Sequence, residues 1–192
     1  PDGFGTIDAT GFWVMPGIVD AHSHISTEGG LNEGTQSVTP EVRVRDVLNP
    51  RDIAIYRALA GGVTAANVLP GSANSIGGQT ATIKLKYGEG PDDLPFPGAP
   101  RGVKFALGEN PKQSNFSNNR GKRFPNTRLG VEATFRRAFT EAQDYAEAKK
   151  RDPLLRTDLR LEALAGILSG DILVHCHCYR ADEILMILQV AK

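Results

Sequence analysis

The sequence lacks several features that would define a class of protein. It contains only two cysteines, Cys176 and Cys178, which lie two positions apart along a strand candidate, so no disulfide framework is predicted. Neither sign of charge is in excess, with 22 basic and 22 acidic side chains, which argues against nucleic acid as a partner. No apolar run approaches the roughly 20 residues of a membrane span. We therefore expect a soluble globular protein without membrane contact, cytoplasmic only by default.

Histidine is also scarce, and all four histidines fall in two pairs. His22 and His24 stand in "MPGIVDAHSHIS", and His175 and His177 stand in "ILVHCHCYRADEI". Side chains alternate along a strand, so each pair points to one face. Converging imidazoles suit Zn²⁺ or a similar divalent ion, and unrelated half-buried histidines are the alternative interpretation. A closed zinc site that includes Cys176 and Cys178 is disfavoured, because the thiols point to the opposite face.

Short apolar runs alternate with amphipathic segments, which is typical of βα units around a parallel sheet. The first strand is predicted within 13–21, and four more within "VTAANVLPG", "TATIKLKYG", "GVKFALGENP" and "ILVHCHC". Helices are predicted from an N-cap at Asn49, from Val131 onward, over 158–168 and over 181–191. The polar stretch "NPKQSNFSNNRGKRFPNTRLG" predicts a long loop. Its basic residues are candidates for contact with a substrate carboxylate, although a solvated loop is the commoner explanation: Lys112, Arg120, Lys122, Arg123 and Arg128.

The motif "VMPGIVDAHSHIS" resembles the opening metal motif of the amidohydrolase superfamily. The order of later segments is also similar: "GGVTAANVLPG" resembles that family's second strand, "GVKFALGENP" its fourth and "LVHCHCYRADEI" its fifth. The likeness is greatest to the imidazolonepropionase-like and metallo-dipeptidase branches. It implies an α/β fold, a (β/α)8 TIM-type barrel of the metal-dependent hydrolase type, of which about the first five βα units are present. It further implies that residues 1–14 end a flanking β-subdomain and that residues 15–192 form the partial barrel.

The resemblance also implies roles for individual residues. His22 and His24 become ligands of the more buried metal, and His175 becomes a ligand of a second metal. His177 either ligates a metal, touches substrate or orients a ligand. The expected cofactor is one or two divalent ions, Zn²⁺ first, with Mn²⁺, Fe²⁺ or Ni²⁺ as alternatives.

Two residues compete for the position that bridges two metals in many family members. Lys104 in "VKFAL" occupies the place of a carboxylated lysine, whose carbamate is an anion able to hold two cations together. Glu109 in "LGENP" lies at the loop end of the same strand and is the alternative bridge, as a plain carboxylate. The strand register favours Lys104. Both residues are candidates for the catalytic site, and a solvated surface charge is the other interpretation of each.

The implied activity is metal-assisted hydrolysis of a C–N bond in a peptide-like or cyclic amide, through a water whose pKa is lowered toward about 7. The family's later metal histidine and proton-transferring aspartate have no counterpart after His177. We therefore expect an N-terminal part of a longer protein, inactive or weakly active alone. The alternative is a non-catalytic, truncated or degenerate barrel with a partial metal site. Expected partners are a small-molecule substrate and either a second copy or the C-terminal half that completes the barrel.

Overall fold

The computed structural model describes residues 5–112 and 123–192. The strands are β1 (Ile18–Ser23), β2 (Val63–Val68), β3 (Ile76–Gln79), β4 (Ala81–Lys84), β5 (Arg101–Ala106) and β6 (Ile172–His177). The helices are α1 (Ile53–Ala60), α2 (Leu129–Arg151), α3 (Leu159–Leu168) and α4 (Ala181–Val190). Two short 3-10 turns occupy Val44–Val47 and Pro91–Asp93. The prediction of a mixed α/β chain is confirmed.

The strands form two three-stranded sheets, ordered β1-β2-β4 and β3-β5-β6. Two pairs are parallel, β1 with β2 and β5 with β6, and in each pair helices connect the strands. β4 is antiparallel to β2, and β3 is antiparallel to β5. The structure thus differs from the predicted series of parallel units, because apolar alternation identifies a strand without identifying its partner.

Helix α1 begins later than predicted. Asn49 was the predicted N-cap, but its side-chain oxygen accepts from the Arg51 amide in a turn before the helix. Asp52 is the actual N-cap, and its carboxylate accepts from the Ala54 amide at 2.9 Å. Asn and Asp both favour the N-cap position, so the sequence alone does not decide between Asn49 and Asp52.

Two apolar cores support the sheets. One lies between β5, β6 and helices α2 and α3, where the buried Phe135 ring packs against Phe105 with centroids 5.2 Å apart. The other lies between β2, β4 and α1, around Ile55 and Ile83. The predicted amphipathic face of α2 is confirmed, since its buried residues include Val131, Phe135 and positions at helical spacing after them. Among the described helices, none is both long and apolar enough to cross a membrane.

The first strand starts at Ile18 rather than at Trp13, which is 98% exposed. Gly17 lies so close to β2 that a Cβ there would be 2.1 Å from the Thr64 hydroxyl oxygen, so the chain enters the sheet at this glycine. Residues 5–17 contain no strand. The division into a flanking subdomain and a barrel therefore stays a prediction.

The Arg123 guanidinium ties three loops together. One terminal nitrogen donates to the Gly34 carbonyl at 2.7 Å and to the Asn74 side-chain oxygen at 3.1 Å. The other donates to the carbonyls of Ala73 at 2.8 Å and Pro111 at 3.1 Å. A planar fork with several donors suits this task better than an ammonium does. Arg123 therefore connects the loop after β1 with those that follow β2 and β5.

Arg123→Ala should lower the free energy of unfolding by about 2 kcal/mol or more, because it leaves several carbonyls at the loop junction without their donor. Chemical denaturation with two spectroscopic probes measures this. Arg136→Ala is the matched control: Arg136 makes an exposed i,i+4 pair with Glu132, and its loss should cost less than about 0.5 kcal/mol. Equal effects of the two substitutions would contradict the role given to Arg123.

Candidate metal centre

The first histidine pair lies where β1 ends. His22 lies in the strand, and His24 is the first residue after it. Their rings meet edge to face, with centroids 5.1 Å apart. The spacing therefore brings both imidazoles to one place, as the alternation of side chains predicts.

The turn after His24 is held from outside the strand. Ser26 is fully buried and has a φ of 63°, which is uncommon for a residue other than glycine. Its amide donates to the Asp52 carboxylate at 2.7 Å, and its hydroxyl donates to the Asn49 carbonyl. The helix cap of α1 thus also fixes the backbone two residues beyond His24.

The second pair is placed by the register of β5 and β6. These strands are parallel, with Lys104 opposite His175 and Ala106 opposite His177. Opposite residues in a ladder share a face, so Lys104 and both histidines project from the same side of this sheet. The thiols of Cys176 and Cys178 lie on the other side and pack against the core of α2 and α3, as predicted.

Lys104 connects the two sheets. Its side chain is buried, with 2% exposure, and its Nζ lies 3.4 Å from Nε2 of His22. Lys104 on β5 therefore contacts His22 on β1 and stands opposite His175 on β6. The structure brings together the two histidine motifs through the residue that the strand register favoured.

Room for this arrangement comes from a glycine on β5. A Cβ at Gly102 would lie 3.1 Å from Nε2 of His175 and 2.6 Å from the Thr80 hydroxyl oxygen. The His175 ring therefore lies over Gly102, and the space next to Lys104 stays free of a further side chain.

The electrostatics of the cluster favour neutral imidazoles. Partial burial, with the charge of Lys104 next in size, lowers the pKa of His22, and His24 and His175 add to this effect. Burial and then Lys104 also lower the pKa of His175 and of His177, with Glu183 acting against them at His177. Burial lowers the pKa of Lys104 itself. Neutral imidazole is the form that binds metals.

Two observations fit these residues to a divalent ion. The Nδ1 of His24 lies 2.8 Å from the Leu69 carbonyl, which only accepts, so Nδ1 carries the proton and Nε2 has a lone pair. The Nε2 of His177 is buried and has no hydrogen-bond partner among the described residues. Against this, no group of three His, Cys, Asp or Glu side chains within 5–112 and 123–192 is arranged to hold a metal.

Glu109 lies elsewhere, at the surface end of the loop after β5. Its carboxylate pairs with Lys112 at 2.5 Å and with Arg128 at 3.1 Å, and its side chain is 39% exposed. The hydrogen bond from Lys112 lowers the pKa of Glu109. These contacts assign the carboxylate to an ion-pair cluster, whereas Lys104 contacts a histidine.

The predicted basic surface is only partly described. Arg120 and Lys122 lie outside the described residues. Lys112 and Arg128 pair with Glu109, and Arg123 donates to loop carbonyls. No sequence pattern identified Asp52 or Arg123 as supports of the site, because their partners are backbone groups distant in sequence.

Known proteins resemble this chain in sequence and in fold. No family model matches the chain. The chain is 36% identical over 208 residues to "Amidohydrolase tasK" of Hapsidospora irregularis, an alignment that covers 92% of this chain and 21% of that protein. A crystal structure of an amidohydrolase from Thermotoga maritima MSB8 superposes with a TM-score of 0.82 and 36% identity.

The comparisons support the amidohydrolase family. The structural match covers 98% of this chain and 54% of the solved amidohydrolase. The chain thus spans about a fifth of the curated amidohydrolase and about half of the solved one. Both similarities extend over nearly all of this chain.

Stability should fall as the pH is lowered from 7.5 to 6.0. The pKa of His175, like that of His22, is lowered below its usual 6.5 in the folded chain, so the unfolded chain takes up protons first. Stability is therefore lost as the pH falls through about 6.5, above the range in which most carboxylates titrate. Urea unfolding at the two pH values measures it. His175→Gln should weaken this dependence, and an unchanged dependence in that variant would contradict the assignment.

Proposed function

We propose that this chain carries the metal site of a hydrolase that cleaves C–N bonds of amide, peptide-like or cyclic amide substrates. The observation that carries the proposal is the position of Lys104, buried between His22 on one sheet and His175 on the other. The names of both relatives support hydrolysis of C–N bonds. We further propose that the strands belong to a TIM-type barrel of the metal-dependent hydrolase type, in the imidazolonepropionase-like or metallo-dipeptidase branch.

The proposed ligands are the four histidines and Lys104. His24 presents Nε2, because its Nδ1 proton is held by the Leu69 carbonyl. This hydrogen bond also fixes the ring, as is usual for metal-binding histidines. His175 projects beside Lys104 from the neighbouring strand. The unpartnered Nε2 of His177 supports a ligand or substrate contact there.

Lys104 is proposed to act as a carbamate. Its neutral amine would attack CO₂, forming an N–C bond and releasing one proton, which gives a carboxylate on Nζ. Burial favours the neutral amine that this reaction needs. The resulting anion would supply the negative ligand that the described histidines lack. Glu109 is the alternative, and its pairs with Lys112 and Arg128 would have to open first.

Zn²⁺, or Mn²⁺, Fe²⁺ or Ni²⁺, is the proposed cofactor, with one or two ions held by these residues. A divalent ion bound there would lower the pKa of a coordinated water and polarise the substrate carbonyl. The lowered pKa values of His22, His175 and His177 favour the neutral imidazole that binds a metal, and Lys104 contributes by lying where it contacts His22.

A non-catalytic barrel with a partial metal site is the second candidate function. It is favoured by the absence of a three-residue His, Cys, Asp or Glu group in the part of the chain that the structure describes. The two candidates differ in turnover. A zinc-loaded chain that cleaves any member of a panel of dipeptides and cyclic amides would rule out the second.

The chain, freed of metal, should bind Zn²⁺ in a calorimetric titration. The double substitution His22→Asn with His24→Asn should weaken binding by about 100-fold or more, because two first-strand ligands are lost. Cys176→Ala with Cys178→Ala is the control for a thiolate site and should leave the affinity unchanged, since those thiols face the core. Loss of binding in the cysteine variant alone would overturn the histidine assignment.

Lys104 should take up CO₂ when zinc is present. With ¹³C-labelled bicarbonate, the wild-type chain should show a carbamate resonance that Lys104→Met lacks. Lys84→Met is the matched control, because Lys84 is a partly buried strand lysine whose ammonium lies over Phe96 rather than beside a histidine. A carbamate signal that persists in Lys104→Met, or that disappears in Lys84→Met, would contradict the proposed bridge.

A further inference from the structure

A polar cleft lies between the loop after β1 and the helices α2 and α3. Its volume is about 270 Å³. None of the proposed metal ligands lines it. The lining residues that matter for its chemistry come from the loop, from the segment before α2, from α2 and from α3: Gln36, Arg123, Phe124, Arg137, Glu141 and Arg160.

Positive charge dominates this cleft. Among the described residues that line it, three are arginines and one, Glu141, is an acid. The chain as a whole has as many acidic as basic side chains, 22 of each. A local surplus of two positive charges on a chain without net charge favours an anionic ligand at this place.

Arg137 is the guanidinium whose donors remain available. Its Cζ lies 5.1 Å from the centroid of the Phe124 ring, and this cation–π contact holds the side chain at the cleft. Within residues 5–112 and 123–192 it makes no hydrogen bond and no ion pair. The neighbouring Arg136, by contrast, is paired with Glu132 at 2.8 Å. The planar fork of Arg137 is therefore free to bind oxygen acceptors.

The other two arginines contribute in different ways. Arg160 donates through one terminal nitrogen to the Glu141 carboxylate at 3.1 Å, and a guanidinium has five N–H donors in all. Arg123 directs its donors to loop carbonyls, among them that of Gly34. Arg160 can therefore add hydrogen bonds to a ligand, whereas Arg123 adds mainly its charge.

We propose that this cleft binds a phosphate group, with Arg137 and Arg160 as its hydrogen-bond donors. Guanidinium forks match the oxygens of phosphate, and the surplus charge of the cleft equals that of a phosphate dianion. The donors come from α2 and α3, and the Gln36 amide lines the cleft from the loop. Donors on three separate elements suit a tetrahedral anion better than a planar carboxylate.

Acidic residues limit the site on one side. Gln36 and Arg160 also line a neighbouring cleft, where Glu41 and Asp158 are present beside Arg156. The negative charges there disfavour an anion. The phosphate is therefore expected on the side of Arg137.

Phosphate binding can be measured on the metal-free chain near pH 8, above the second pKa of a phosphate group at about 6. Inorganic phosphate, added at constant ionic strength, should shift the side-chain Nε–Hε resonance of Arg137 in a saturable way. Arg137→Ala should weaken binding by about 10-fold or more. Arg136→Ala is the matched control, because Arg136 is an exposed arginine on the same helix that does not line the cleft. Equal affinities of wild type and Arg137→Ala, or an equal loss in Arg136→Ala, would overturn the proposal.

The carboxylates give a second test in the opposite direction. Glu141→Gln should tighten phosphate binding by about 3- to 10-fold, because it removes a negative charge from the cleft and releases an N–H donor of Arg160. Glu132→Gln is its control and should leave the affinity unchanged, since Glu132 does not line the cleft. Weaker binding in Glu141→Gln, or equal tightening in both variants, would contradict the site.

One further variant separates this site from the metal centre. His22→Asn with His24→Asn should bind phosphate as the wild type does, whatever the outcome of the zinc titration. A loss of phosphate binding in that variant would place the anion at the histidines and overturn the proposal. Glycerol 2-phosphate as a second probe distinguishes the source of the group: tighter binding than inorganic phosphate identifies a phosphate monoester, and weaker binding identifies the free anion.

Discussion

The parallel register of β5 and β6 is the constraint on which the candidate site depends. It sets Lys104 opposite His175 and Ala106 opposite His177. A shift of β6 by one residue would turn His175 and His177 toward the core and bring Cys176 and Cys178 to the open face. Burial raises the pKa of Cys176 to about 12, so the thiol is suited to the apolar side where it lies. The histidine face and the thiol face of β6 therefore both favour the observed register with β5.

His22 belongs to the sheet β1-β2-β4 and Lys104 to the sheet β3-β5-β6, so their contact joins the two sheets. β3 and β4 run antiparallel to the strands beside them and are separated only by Thr80, so a single bent segment passes from one sheet to the other. The Lys104 side chain reaches from β5 to His22 on β1 and so spans the same junction between the sheets. Backbone continuity and a buried lysine thus act at the same junction, and the site lies where the two sheets approach each other.

Local spacing was enough to predict part of this arrangement from the sequence. The separation of His22 from His24 by one residue predicted that both side chains share a face. The position of Lys104 in its strand favoured it over Glu109 as the candidate bridging residue. The antiparallel pairs could not be predicted, because β-branched residues indicate a strand but not its neighbour. Nor could Asp52 or Arg123, which act on backbone groups of distant loops. Sequence periodicity predicts which way a side chain points. The contacts of Asp52 and Arg123 depend instead on which loops lie next to each other in the fold.

The different surroundings of Glu109 and Glu183 show why residue type alone does not predict the role of a carboxylate. Both are glutamates near the same end of the sheet, and only Glu109 was a sequence candidate. Glu109 is 39% exposed and has Lys112 and Arg128 beside it, so its charge is already compensated by two cations. Glu183 shares Arg128 but keeps one oxygen buried without a donor among the described residues. Residue type therefore predicts a carboxylate at this end of the sheet, whereas burial and the cations beside it decide how much of its charge stays uncompensated.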